Sequence, residues 1–439
     1  MKILLLTSPA GRRELPVFPL GLAYIAASLK QHSVRVFDLN VIDRPLQKLD
    51  RIVEEESPDV IGVSLRYIDT SSSYDKFSYY PGFISCIRHL RKIKRNATLI
   101  VGGAGFTLFP RPIMQEASDI DFGVLFEGEN TIVELVENLN RPDAVKGICY
   151  RNNGRVRFTE KRDLLKFDNL FLPKRDILDI NAYKHFHEQM GVQTKRGCIF
   201  NCIYCSYPSL EGNRICMQSP QRVADDIEIL AKAGIQKIFF NDCMFNYPQD
   251  HAVQICREII GRGIDIKWKA FFNEKFMDQK VFSLAKEAGC ELFIFGSDGS
   301  NPQTLKSLKK NFSYREMVAA YNLFKKPDSD GANFKCTFMF NGPGDEKGRT
   351  IFDIFKLVSG LFLKKKRHFQ FSIGNIRIYP HTELHRISLI KGLISKNDNL
   401  IFPRYYDPFP MRIISYCLNL FGSFMYTIKR RRRCKKIGR

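Results

Sequence analysis

Residues 196–205 read RGCIFNCIYC, and the thiols of Cys198, Cys202 and Cys205 constrain this chain more tightly than any other feature of it. Three cysteines spaced C-x3-C-x2-C suit a loop wrapped around one metal centre, and clustered thiols at metal spacing argue against three unrelated buried side chains. A structural zinc site needs four ligands in a closed tetrahedron. The loop offers no fourth Cys or His; Cys216 is the nearest later candidate and His187 the nearest earlier histidine. An iron–sulfur cluster also normally takes four cysteines, so three would leave one iron open to a substrate or cofactor.

The surroundings of the loop set its scaffold. In the first part of the chain, residues 2–7, 35–39, 60–65, 98–101 and 122–126 read as strands, and 20–30, 83–94 and 130–139 as helices. Short apolar strands alternating with helices imply a doubly wound, Rossmann-like parallel sheet, an α/β fold that binds ligands at the carboxyl ends of its strands. A hairpin turning at Asn153-Gly154 interrupts the pattern. After Gly197 the alternation resumes, with strands expected near 193–195, 237–241, 266–271, 292–296, 334–340 and 371–379. Six strand–helix units suit a partial (β/α)6 barrel better than a second open sheet.

The chain has 439 residues, room for two or three domains. Its 12 cysteines are mostly isolated and no export signal is evident, which points to a reducing cytoplasm rather than a disulfide framework. The net charge of +22 is partly concentrated in KKKR at 364–367 and KRRRR at 429–433. Residues 411–428 are apolar and aromatic and precede the second run. They fit an interfacial helix with a polybasic flank, giving peripheral membrane contact, or a packed terminal helix with a frayed tail.

With Tyr204 before its last cysteine, the triplet resembles the signature of the radical S-adenosylmethionine (SAM) superfamily. The resemblance implies a 4Fe–4S cluster on Cys198, Cys202 and Cys205, with SAM chelating the open iron and cleaved to methionine and a 5′-deoxyadenosyl radical. It continues through FFNDCMFN at 239–246, WKAFFN at 268–273, FGSDGS at 295–300, NGPGDE at 341–346 and RIYPHT at 377–382. These imply SAM contacts for Tyr204, Asp242, Asp298 and Arg377. His381 stands where glycine is usual in the last motif.

PLGLAYIAA at 19–27, PDVIGVSLRYID at 58–69, VGGAGFTLF at 101–109 and FEGEN at 126–130 resemble the cobalamin-binding domain that precedes the barrel in one large subfamily. Ser64, Leu65, Arg66, Gly102, Gly103, Gly105, Glu127, Gly128 and Glu129 are the implied cobalamin contacts. The D-x-H-x-x-G motif, which supplies a histidine to cobalt, is absent; Asp38-Leu39-Asn40 is its nearest fragment. Residues 1–150 hold only Cys86 and Cys149, too few for the second cluster of the tRNA methylthiotransferases, which argues against an RNA partner.

The expected division is a cobalamin-binding domain at 1–145, a connector with hairpin at 146–185, the barrel at 186–395 and a short helical extension with a basic tail at 396–439. The resemblance implies methylation of an unactivated carbon of a small or lipid-like substrate, with ferredoxin or flavodoxin as electron donor. Cyclisation or rearrangement without methyl transfer is the alternative within the subfamily. A basic membrane-surface or nucleic-acid-binding protein with a structural or sensory cluster is the alternative of another class.

Overall fold

The computed structural model of the chain describes residues 1–11, 16–184, 190–326, 329, 332–345, 349–362, 369–409, 412–413 and 416–417. The basic runs at 364–367 and 429–433 fall outside these residues, as does nearly all of the expected terminal helix.

Seven strands form the first sheet: β1 (Lys2–Thr7), β2 (Ser33–Phe37), β3 (Val60–Ser64), β4 (Thr98–Gly102), β5 (Phe122–Val124), β6 (Ile148–Asn152) and β7 (Arg155–Phe158). Their order is β2-β1-β3-β4-β5-β6-β7, parallel through β5 and antiparallel beyond it. Strand β1 reads KILLLT without polar alternation because both its faces are covered: Leu4 and Leu6 join one apolar cluster, Ile3 and Leu5 another. Chain order reverses between β1 and β3, which opens a crevice at their carboxyl ends. The hairpin expected in a connector is instead the antiparallel edge of this sheet, with Val124 opposite Ile148. The amphipathic helix Pro45–Glu56 was not anticipated, although Leu49, Ile52 and Val53 bury one stripe of it.

The second sheet begins at β8 (Gly191–Val192). A short antiparallel pair follows, β9 (Lys195–Arg196) with β10 (Cys216–Met217), and the cysteine loop lies between them. The sheet continues through β11 (Lys237–Phe240), β12 (Lys267–Phe272), β13 (Cys290–Asp298), β14 (Asn333–Phe340) and β15 (Phe369–Asn375), in the order β15-β14-β13-β12-β11-β8. All neighbours are parallel, and β8 does not pair with β15, so this is an open six-stranded barrel. Asp278 and the Asn301–Thr304 and Ser313–Glu316 capping boxes start its helices. Phe272, Phe282, Phe293, Phe295, Phe324 and Phe334 fill the layer between strands and helices.

Helix Leu20–Ser28 is apolar on every side because it lies between the two units. Leu22 and Ala26 face the first sheet, Ala23 the barrel core, and Tyr24 packs with Phe167. Across the other face of the first sheet, Leu65 and Phe106 share one cluster with Ile203, Leu308 and Ile376 of the barrel.

His381 has φ 63° and is exposed. This left-handed region costs an L-residue roughly 1–2 kcal/mol, against about 0.5–1 kcal/mol of extra chain entropy lost by glycine. His381→Gly should therefore raise stability by about 0.5–1 kcal/mol, read as a higher thermal midpoint. A lower midpoint would mean that the imidazole makes contacts outweighing the backbone strain.

Candidate functional site

The cysteine loop is tied down at both ends. The Gly197 N–H donates to Glu211 Oε2 at 3.0 Å, the Cys198 N–H to the Gly212 carbonyl at 3.2 Å, and the Cys205 N–H to the Cys202 carbonyl at 3.1 Å. The Ile203 N–H donates to Leu308 O and its carbonyl accepts from the Leu384 N–H. Gly197 is required where it stands: φ is +87° and a β-carbon would lie 1.8 Å from the Arg214 carbonyl oxygen. The thiols of Cys198, Cys202 and Cys205 lie close enough to influence one another's ionisation. Among the described residues no three His, Cys, Asp or Glu side chains close on a single ion. Three thiols on one curled loop, spaced C-x3-C-x2-C, fit a polynuclear cluster with an open position.

Sequence reasoning missed Lys310. Its Nζ donates to Asp298 Oδ2 at 2.8 Å, to the Gly296 carbonyl at 2.6 Å and to the Tyr204 hydroxyl at 3.2 Å; the Tyr204 hydroxyl also donates to Asp298 Oδ2. Burial works against its charge, but Asp298 and Tyr204 outweigh it and hold the ammonium well above its usual pKa. The structure thus joins two expected site residues through a cation that also acts on Cys202. A short loop after helix Pro302–Ser307 carries Lys310, and no motif marked it.

Cys243 was missed too. Its thiol donates to the Gly197 carbonyl at 3.0 Å and lies beside Cys198, a contact that draws the Cys198 thiol down to about 7. Burial pushes Cys205 up to about 12. Cys216 packs near Leu20 and Tyr24, and Arg214 donates to the Leu164 carbonyl.

Two expected SAM contacts are committed elsewhere. Asp242 is 2% exposed; Oδ1 accepts the Thr194 and Lys195 N–H groups at 2.8 and 3.2 Å, and Oδ2 the Thr194 hydroxyl at 2.6 Å. It braces the strand entering the loop. Arg377 is 4% exposed, and its Nε pairs with Asp69 Oδ2 at 2.9 Å. Its remaining nitrogens donate to the carbonyls of Ile378, Leu400 and Arg404.

The expected cobalamin residues divide likewise. Ser64, Leu65 and Arg66 lie at the carboxyl end of β3, on the crevice, and Gly102, Gly103 and Gly105 at the end of the adjacent β4. Gly103 has φ +98°, and a β-carbon there would meet the Leu65 carbonyl oxygen at 2.6 Å, so glycine lets the two loops close on each other. Arg66 and Tyr67 remain exposed beside them. Gly105 serves the same approach, since a β-carbon there would meet the Tyr67 carbonyl carbon at 2.8 Å and the Leu65 carbonyl oxygen at 2.9 Å. Asn40 is held locally: its amide bonds Thr7, the Ser8 carbonyl and the Ala10 N–H. Gly128 packs on Ile25 and Val124. Glu127 and Glu129 instead grip Arg196, at 3.2 and 2.6 Å, two residues before Cys198.

Residues 9–136 match the B12 binding domain family and residues 192–358 the radical SAM superfamily. An uncharacterised methyltransferase of Pyrococcus horikoshii, PH0819, is 30% identical over 406 residues, covering 90% of this chain and 84% of that protein. The anaerobic magnesium-protoporphyrin IX monomethyl ester cyclase of Synechocystis is 27% identical over 231 residues, 50% of this chain and 46% of the cyclase. The radical SAM methyltransferase TsrM of Kitasatospora setae, solved with cobalamin and a 4Fe–4S cluster, superposes with a TM-score of 0.77 at 20% identity, covering 90% and 79% of the two chains. No helix among the described residues is long and apolar enough to cross a membrane.

Behind the site, Glu274 is 2% exposed, accepts from the Ser297 hydroxyl, and is pushed up to about 7 by burial. The native state then keeps a proton that the unfolded chain loses above about pH 4.3. Its contribution to stability is complete below that pH and is lost as pH rises through about 7. Glu274→Gln should remove a decline on the order of 3 kcal/mol between pH 5 and 8, at about 1.36 kcal/mol per unit. Thermal midpoints of both proteins at the two pH values check this; equal declines would place the titration elsewhere.

Proposed function

Because the chain belongs to the cobalamin-binding subfamily of the radical SAM superfamily, we propose that it transfers a methyl group to an unactivated carbon of a small or lipid-like substrate. The carrying observation is an open set of three thiols on a loop clamped by the very domain that matches the B12-binding family.

Cys198, Cys202 and Cys205 would hold the cluster. Tyr204, Asp298 and Lys310 would line the SAM side of the loop, and Lys310 offsets the negative charge that three thiolates gather there. The Ser64–Arg66 turn and the Gly102–Gly105 turn would cradle the corrinoid from the crevice. The two cofactors supply an electron for SAM cleavage, a radical that takes hydrogen from carbon, and a cobalt carrier for methyl. The protein's share is to hold them facing one substrate and keep water away. Asp242 and Arg377 act one step back, by fixing the strand into the loop and the seam between the domains.

A low-potential ferredoxin or flavodoxin would be the electron donor. Ring closure without methyl transfer is the second reading, favoured by the similarity to the Synechocystis cyclase.

Anaerobic reconstitution with iron, sulfide and hydroxocobalamin, followed by reduction and SAM, tests the proposal. Wild type should bind corrinoid and form 5′-deoxyadenosine. Alanine at Cys198, Cys202 or Cys205 should each lower that yield by at least about 100-fold, at or beyond the 10–100-fold effect of outer-shell partners. Cleavage without bound corrinoid would remove methyl transfer through cobalt; neither signal, where a control enzyme gives both, would sink the reading.

A further inference from the structure

The cysteine loop and the crevice domain meet at one buried cation. Arg196 is 8% exposed; Nη2 pairs with Glu129 Oε1 at 2.6 Å, Nη1 with Glu127 Oε1 at 3.2 Å, and Nε donates to Gln193 Oε1 at 3.0 Å. Its guanidinium faces the ring of Phe167 at 4.4 Å and that of Tyr24 at 5.3 Å. Burial opposes the charge, but Glu129 and Glu127 outweigh it and keep Arg196 above its usual pKa.

Both ends of this clamp touch a candidate cofactor site. Gly197 and Cys198 follow Arg196 directly. Glu127 sits on the turn after β5 and Glu129 opens the helix Glu129–Glu137 that follows; β5 pairs with β4, and β4 runs into the Gly102–Gly105 turn. The Phe126 N–H of the glutamate turn donates to the Thr107 hydroxyl at 3.1 Å, across the helix that the glycine turn starts. Phe126 is held at φ 59°, which a bulky residue adopts only when its surroundings impose it. Glu127 has no slack, since Oε2 accepts the Leu165 N–H at 2.7 Å; Glu129 Oε2 is buried without a partner among the described residues. A guanidinium enclosed in this way cannot leave its carboxylates without exposing three unpaired buried charges. The glutamate turn and the cysteine loop therefore shift together or not at all.

Resting on the function proposed above, we propose that Arg196 is a positioning residue that couples the two cofactor sites: corrinoid seated in the crevice sets the cysteine loop, and the cluster in turn sets corrinoid affinity. Such coupling is reciprocal, and typical couplings change affinity at least about fivefold.

The test uses the full chain as wild type, Arg196→Lys, Arg196→Met and Glu129→Gln. Hydroxocobalamin affinity is measured with and without the reconstituted cluster, and the electron paramagnetic resonance signal and midpoint potential of the reduced cluster with and without hydroxocobalamin. Wild type should bind hydroxocobalamin about fivefold or more tightly with the cluster present, and the corrinoid should shift the cluster signal. In Arg196→Met both cofactors should still bind, the affinity ratio should fall to about one and the shift should vanish, with Arg196→Lys in between. Should the methionine protein not fold, Glu129→Gln, which keeps the shape and removes one charge, must reduce the ratio. A wild-type ratio of one, or an unchanged ratio and shift in the variants, overturns the coupling while leaving the proposed function intact. A wild type that takes up neither cofactor overturns both.

Discussion

A guanidinium cannot be buried alone, and the architecture answers that requirement repeatedly where its parts meet. Arg196 reaches from the barrel to Glu127 and Glu129, Arg377 from the end of β15 to Asp69, and Arg175 from the connector to Asp226. Each pair has side chains no more than 9% exposed. Buried pairs of this kind add little net stability over apolar packing, yet breaking one by removing a single partner typically costs about 3–5 kcal/mol. What they contribute is register: one relative placement of crevice, connector and barrel satisfies them all. Tyr183 adds a neutral link of the same sort, its hydroxyl donating to the buried Asp38 at 2.8 Å.

The same ion pairs mark the limit of what the sequence made legible. Strands were readable because their apolar runs are short and continuous, and observed ends fall within a few residues of the expected ones, as with Val60–Ser64 and Asn333–Phe340. The thiol loop was readable because its function is written in consecutive spacing. Glu127, Glu129 and Arg377 were expected at the cofactors because the motifs around them resemble those of the family. Their partners lie 69, 67 and 308 residues away, and no local pattern announces a counter-ion at that distance. The hairpin was legible as a hairpin, but not as an edge of the first sheet, since strand pairing is settled by the whole fold.

Charge around the thiol loop follows from this placement. As cluster ligands the three thiols would be thiolates, whose mutual repulsion a low-dielectric setting magnifies. Lys310 enters from outside the motif and is itself kept charged by Asp298 and Tyr204. On the other flank, Lys195 and Asp242 are buried 3.9 Å apart, and burial pushes the ammonium down and the carboxyl up, so this pair adds little field at the loop.

The arginine seam also bears on descent. Crevice domains and barrels occur as separable modules across α/β proteins, and recombination joins them freely where the junction is a linker. Here a transplanted front module lacking Asp69, Glu127 and Glu129 would strand two guanidinium groups in the interior. The two halves of this gene can therefore drift apart in sequence but cannot be inherited from different parents unless both sides of the seam travel together.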